Sequence, residues 1–223
     1  MNKHIKHLFS FFLIALFLCC TTFATPTFTE NPIAYGKVHL QSWKSQRDAG
    51  IVKQDFDFSC GAASIATLLN NYYGQSLTED EILEKMGKTK ERASFADMQR
   101  IMPELGFEAK GYALLSFEQL VQLKIPVIVY LKYRKNDHFS VLRGINASTV
   151  LLADPSLGHI SMSKAQFLES WKTRAGKMEG KILAIIPKNT DTKRNIEFFT
   201  KQPQRSSHAA VDQIQLRQEI SIR

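Results

Sequence analysis

Four residues of this chain are spaced as a nucleophile and its helpers would be. Cys60 stands in "QDFDFSCGAAS" (54–64), just ahead of small residues that open a helix. A thiol there sits near backbone N–H groups without intrahelical acceptors and near the positive end of the helix dipole, a setting that suits an anionic nucleophile. His138, in "NDHFSV", follows a polar loop at the mouth of a strand and is the candidate general base. Asp154 ends the next strand in "LLADPS", sixteen residues later. If the two strands form a hairpin, Asp154 and His138 meet at one end of it, where a carboxylate can fix the imidazole's tautomer and orientation. Gln54 precedes Cys60 by six residues and can offer a side-chain amide, beside the Cys60 N–H, to a developing oxyanion.

Each residue also has a plainer reading. A single thiol is commonly a buried structural one, a histidine at a strand end is commonly just polar, and Asp-Pro is an ordinary turn signal. Of the other histidines after residue 24, His39 and His208 lack comparable partners, while His159 is close enough to Asp154 to be a rival base. Negative charge beside a thiol disfavours its anion, so Asp55 and Asp57 are expected to point into solvent. Phe56, Phe58, Tyr72 and Tyr73 read as core rather than as a substrate platform.

The elements that must assemble these residues are legible in the patterning. "CGAASIATLLNNYYG" carries Ala62, Ile65, Ala66, Leu69 and Tyr73 at helical spacing and ends on Gly74, a suitable C-terminal cap. Thr78 with Glu81 and Ser94 with Asp97 mark two further helix starts as capping boxes, the second helix closing at Pro103 and Gly106. Ser116 and Gln119 open a short helix in "SFEQLVQL". Then the texture changes. "PVIVYLKY" (126–133), "HFSVLRGI" (138–145) and "TVLLADP" (149–155) are short strand-like runs between turn residues. "SLGHISMS" turns into another strand, "SKAQFLESW" is helical, and "KILAIIP" is a last strand ended by Pro187. Helices first and strands afterwards predict an α+β domain, its N-terminal helices packed on an antiparallel β-sheet. The domain is expected over 50–188, after an N-terminal extension at 25–49 and before a polar, flexible tail at 189–223.

Composition sets the outer bounds. At 223 residues, 44% hydrophobic and 22% charged, the chain suits one globular domain with appendages. "MNKHIKH", the apolar run "LFSFFLIALFLCC" and "TTFA" together read as a secretory signal peptide, residues 1–24, cut after Ala24. The run is short for a bilayer span, an uncleaved anchor being the rival reading. Cleavage would remove Cys19 and Cys20, leaving Cys60 as the single thiol in an oxidising compartment, the periplasm. It would also remove Lys3 and Lys6, lowering the net charge from +8 to +6. The remaining basic residues are scattered, which argues against a nucleic-acid groove. With no zinc-ligand cluster and no phosphate-binding glycine loop, neither a metal nor a cofactor is expected.

The pattern of Gln, five residues, then Cys-Gly opening a helix, followed by "HFSVL" and an Asp-Pro sixteen residues after the His, resembles the C39 family of cysteine peptidases. These are the double-glycine peptidases found as N-terminal domains of bacteriocin-exporting transporters. The resemblance covers roughly 50–187. It implies a papain-like fold with Cys60 as nucleophile, His138 as base, Asp154 as its orienting partner and Gln54 as oxyanion donor. Unlike the transporter members, this sequence shows a signal peptide and neither a membrane domain nor a nucleotide-binding motif. In length and layout it is most similar to stand-alone exported peptidases of functional-amyloid export (Fap) systems.

The resemblance implies a periplasmic peptidase that cleaves exported, unfolded polypeptide after small residues and serves secretion of a fibre or peptide. Its partners would be that substrate, amyloid or fibre subunits included, and the export machinery. The alternative is a catalytically weak papain-like domain that binds and escorts a Gly-rich substrate. An acyl-transfer enzyme on the same Cys-His-Asp scaffold ranks below both.

Overall fold

The computed structural model describes residues 42–88, 90–133, 136–172 and 180–205. The expected signal peptide, most of the extension and the last eighteen residues of the expected tail lie outside them.

Helix α1 (Trp43–Arg47) is short and starts at Ser42, whose side chain accepts from Ser45 N–H. Helix α2 (Cys60–Tyr73) follows, then α3 (Glu79–Met86) and α4 (Phe95–Ile101). Both expected capping boxes form. Thr78 and Glu81 exchange hydrogen bonds at the start of α3, as do Ser94 and Asp97 at α4. Such caps contribute about 1 kcal/mol each by satisfying N–H groups that the helix cannot. Gly74 ends α2 at φ 68°, a left-handed turn that favours glycine.

Almost every residue of α2 is buried, because the helix lies between the sheet and helices α3 and α4. The small residues at its start allow this. Ser64 Oγ donates to the carbonyl of Phe139 on the sheet at 3.2 Å. A Cβ on Gly61 would stand 2.5 Å from Met98 Cε and 3.2 Å from Ala93 Cβ, so a larger residue there would displace the end of Met98 and press on Ala93.

The strands are β1 (Phe107–Leu114), β2 (Val127–Tyr133), β3 (Asn136–Ile145), β4 (Thr149–Asp154), β5 (Gly158–Ser163) and β6 (Gly180–Pro187). They form one antiparallel sheet in the order β1-β6-β2-β3-β4-β5. Helices α2 to α4 cover one face over Ile65, Leu69, Val141 and Ile185. On the other face, α5 (Phe117–Val121) and α6 (Lys164–Trp171) bury Phe117, Phe167 and Trp171 against Val129, Leu152 and Ile182. Full burial is worth about 1.5–3 kcal/mol for each such phenylalanine. The α+β architecture is the one expected.

Two stretches differ from expectation. Strand β1 carried no visible strand pattern, because it is an edge strand with most of its residues wetted and with Lys110 and Gly111 at its centre. Residues 189–205, expected to be part of a flexible tail, are docked. Strand β2 begins at Val127 opposite Leu142, so it offers β3 no partner beyond that point. Thr200 takes the place instead: its N–H donates to Arg143 O at 3.0 Å, and its carbonyl accepts from Ile145 N–H at 3.1 Å. Asn195 N–H also donates to Tyr72 O at 2.8 Å. Phe198 packs toward the α2 side of the sheet and Phe199 toward the α6 side, so the segment straddles the sheet. Main-chain groups dock it, and a polar composition does not display them.

Candidate active site

The loop 54–59 ends at Ser59, the N-cap of α2, which makes no side-chain capping bond. The first-turn N–H groups of α2, Cys60 among them, therefore gain no side-chain acceptor from the cap. The loop is closed on itself. Ser59 Oγ donates to Phe56 O at 2.8 Å and accepts from Phe56 N–H at 3.2 Å. Gln54 is pinned across to the β4–β5 turn: its N–H donates to Pro155 O at 3.2 Å, and its Oε1 accepts from Ser156 Oγ at 2.6 Å. Its Nε2 donates to Phe56 O at 2.9 Å.

His138 is the third residue of β3 and Asp154 the last of β4. The expected hairpin forms with Val141 opposite Ala153, so Asp154 falls beside Ser140, with His138 two residues further along the same face. His138 Nε2 lies 2.8 Å from Asp154 Oδ2. The other oxygen, Oδ1, accepts from Ser156 N–H at 3.0 Å and Leu157 N–H at 2.9 Å, so the "DPSL" turn locks the carboxylate. With Nε2 engaged, Nδ1 is the ring nitrogen left to face α2, and Cys60 is near enough to act on the imidazole. Three side chains from a helix start and two strand ends thus form one cluster.

The electrostatics follow from that geometry. Burial alone would depress the His138 pKa, but Asp154 and Cys60 together outweigh it and hold the imidazole up at about 9. Burial pushes Asp154 upward, yet His138 and the backbone N–H groups of Leu157 and Ser156 leave its pKa below the usual carboxylate range.

Two cavities flank the cluster and adjoin at Arg92 and Asp137. One, of about 330 Å³, runs from Cys60 over Phe95, Tyr130 and Phe139 to Lys181. The other, of about 540 Å³, lies over Gln54, Asp57, His138 and Asp154. Arg92 Nη1 donates to Asp137 O at 3.0 Å, and Tyr130 Oη to Asp137 Oδ1 at 2.5 Å, so these groups form the seam between them. Among the described residues no cluster of His, Cys, Asp and Glu is arranged to hold a metal ion.

Cys60, His138 and Asp154 are brought together; Gln54 lines the second cavity with His138 and Asp154, while Cys60 lines the first. The rival, His159, is not placed with them. It sits opposite Ala153, against Ala49 O at 2.9 Å and Arg143 Nη1 at 3.0 Å, and burial depresses its pKa. Asp55 and Asp57 are exposed as expected, although Asp57 borders the second cavity. Phe56, expected in the core, is half exposed and stacks on Phe58, with centroids 5.2 Å apart. Tyr72 and Tyr73 are buried. Arg92, Tyr130 and Asp137 were not singled out from the sequence, where only the adjacency of Asp137 to His138 hinted at them.

Comparison with known proteins gives the arrangement a context. The sequence model of the Peptidase C39 family matches residues 48–179. The "Probable functional amyloid protease FapD" of Pseudomonas aeruginosa is 33% identical over 186 residues, covering 80% of this chain and 78% of that protein. Among solved structures, a double glycine motif protease from an AMS/PCAT transporter, in complex with the leader peptide, superposes with a TM-score of 0.52 at 25% identity, covering 61% of this chain and 90% of that one. The peptidase domain of Streptococcus ComA has the same fold, with a TM-score of 0.51 at 21% identity over 61% of this chain and 97% of that domain.

Proposed function

The chain belongs to the peptidase C39 family, and from that premise we propose that it is an exported cysteine peptidase acting on unfolded secreted polypeptide. The observation that carries this is the hydrogen-bonded pair His138 and Asp154 beside Cys60 at the edge of an open cleft. His138 takes the Cys60 proton at Nδ1, and the sulfur adds to the scissile carbonyl carbon. The oxygen, now anionic, accepts from the Cys60 N–H and from the second amide hydrogen of Gln54, the first being held by Phe56 O. His138 returns the proton to the leaving amine, which departs. Water, deprotonated by His138, then cleaves the thioester. Asp154 keeps the ring's Nε2–H pointing away from sulfur and stabilises the imidazolium.

The likeness to a functional amyloid protease and to a double-glycine protease supports a substrate that is extended, in transit and cut after small residues. Location in the periplasm rests on the signal-like residues 1–24. No helix of the described residues is long and apolar enough to cross a membrane.

The test is to incubate the protein with exported polypeptides encoded beside it, denatured and native, and to map new termini by mass spectrometry. Cuts after small residues in denatured chains, lost in Cys60→Ala, are expected. Cuts after bulky residues, equal attack on folded substrates, or undiminished cutting by Cys60→Ala would overturn the reading.

A further inference from the structure

One buried acid near the site takes no part in the chemistry above. Glu79, the first residue of α3, is only 5% exposed. Helix α3 does not need it, since Thr78 and Glu81 already complete the capping box. The partners of Glu79 come from the loop before Cys60. Asp55 N–H donates to both carboxylate oxygens, at 3.1 and 3.3 Å. The charges acting on it, Asp55 and Asp80, are both negative. Burying a carboxylate without a cation is costly, so what it grips defines its use. Asp55 is the neighbour of Gln54, and the next residue, Phe56, is tied to Ser59, the neighbour of Cys60.

We infer that Glu79 is a positioning residue: by holding the Asp55 end of the 55–59 loop, whose other end Ser59 ties back to Phe56, its carboxylate sets the Gln54 amide and the Cys60 N–H at the separation an oxyanion requires. This rests on the peptidase reading above and adds a residue that never touches substrate. Burial pushes the Glu79 pKa upward against the hydrogen bonds that the carboxylate accepts. Protonation of the carboxylate weakens its grip on the loop.

The experiment compares the full chain with Glu79→Gln and Glu79→Asp. Four quantities are read: turnover of a denatured Gly-Gly-containing peptide, affinity for N-acetyl-glycyl-glycinal, Cys60 alkylation by iodoacetamide, and hydrogen exchange at residues 55–60. The aldehyde forms a tetrahedral adduct that needs the oxyanion donors, whereas alkylation does not. In Glu79→Gln, kcat is expected to fall about 100-fold with KM changed by less than about threefold. Aldehyde affinity should fall in parallel, alkylation should hold within about twofold, and exchange should rise in 55–60 alone. The acid limb of the kcat profile should flatten in Glu79→Gln and persist in Glu79→Asp. Unchanged exchange at 55–60, or a fall in kcat that merely tracks the fraction folded, would overturn the inference. A wild-type protein that neither cleaves nor binds the aldehyde sinks the peptidase reading instead, and the oxyanion role of Glu79 with it; exchange then reports loop anchoring alone.

Discussion

His138 Nε2 and Asp154 Oδ2 lie 2.8 Å apart, with the Asp154 side chain fully buried and that of His138 nearly so. The pair is charged in the folded state, and its contribution to stability therefore depends on pH. His138 is raised from 6.5 to about 9, so its share is fully present below pH 6.5 and is lost as pH rises through 9. Asp154 is depressed, so its share is present above the ordinary carboxylate pKa and lost as pH falls through the folded value. Thermal melts should show Tm declining between pH 6.5 and 9, on the order of 5–10 °C. His138→Gln should remove that slope, and an unaltered slope would assign it to other groups.

Asp154→Asn keeps the acceptor for Ser156 and Leu157 N–H, because one amide oxygen can take the place of Oδ1. The fold should survive. An amide cannot enforce the tautomer that leaves Nδ1 free for sulfur, so turnover should drop about 10⁴-fold. Circular dichroism and kcat on the same preparation separate the two. Early melting with full activity per folded molecule would make Asp154 a turn residue only.

Gln54→Ala removes a donor and leaves the thiol and its base untouched. Turnover should fall about 100- to 1,000-fold while alkylation of Cys60 stays near the wild-type rate. Equal turnover in the two proteins would take Gln54 out of the site. Gln54→Glu should be at least as damaging, because a carboxylate repels the forming oxyanion.

Ending the chain at 188 removes the Thr200 bonds to β3 and both half-buried phenylalanines. Urea unfolding should show a loss of about 3–5 kcal/mol. The chain ended at 205 is the reference. Equal midpoints for the two truncations would show that the docked segment contributes nothing to stability.

The helix and strand pattern was readable wherever one face is buried and a cap or turn residue marks the end. Thr78, Ser94 and Gly74 are such marks, and the hairpin that unites His138 with Asp154 follows from strand lengths alone. Strand β1 was not readable, because an edge strand with a wet face has little apolar alternation to display. Thr200 was not, because the bonds that seat it belong to the backbone and are silent in side-chain chemistry. Phe56 misled, since aromatic character signals burial in general, while this ring lies outside the core on a loop that Glu79 and Ser156 hold in place. Glu79 was not read from the sequence, where the capping pair Thr78 and Glu81 accounts for that helix start. Its role depends on a contact across 24 residues that no local spacing announces.

Helix α2 brings Cys60 from the early part of the chain, while its base and the carboxylate behind it arrive on β3 and β4, far later in sequence. A partly folded chain therefore carries a sulfur with nothing to activate it. On the peptidase reading, packing α2 against the β3–β4 hairpin is the step that arms the sulfur, and contacts so distant in sequence form late in folding. If the protein is exported and cleaves peptides as proposed, a chain in extended form would be harmless to whatever it meets on the way, with its own topology as the safety catch.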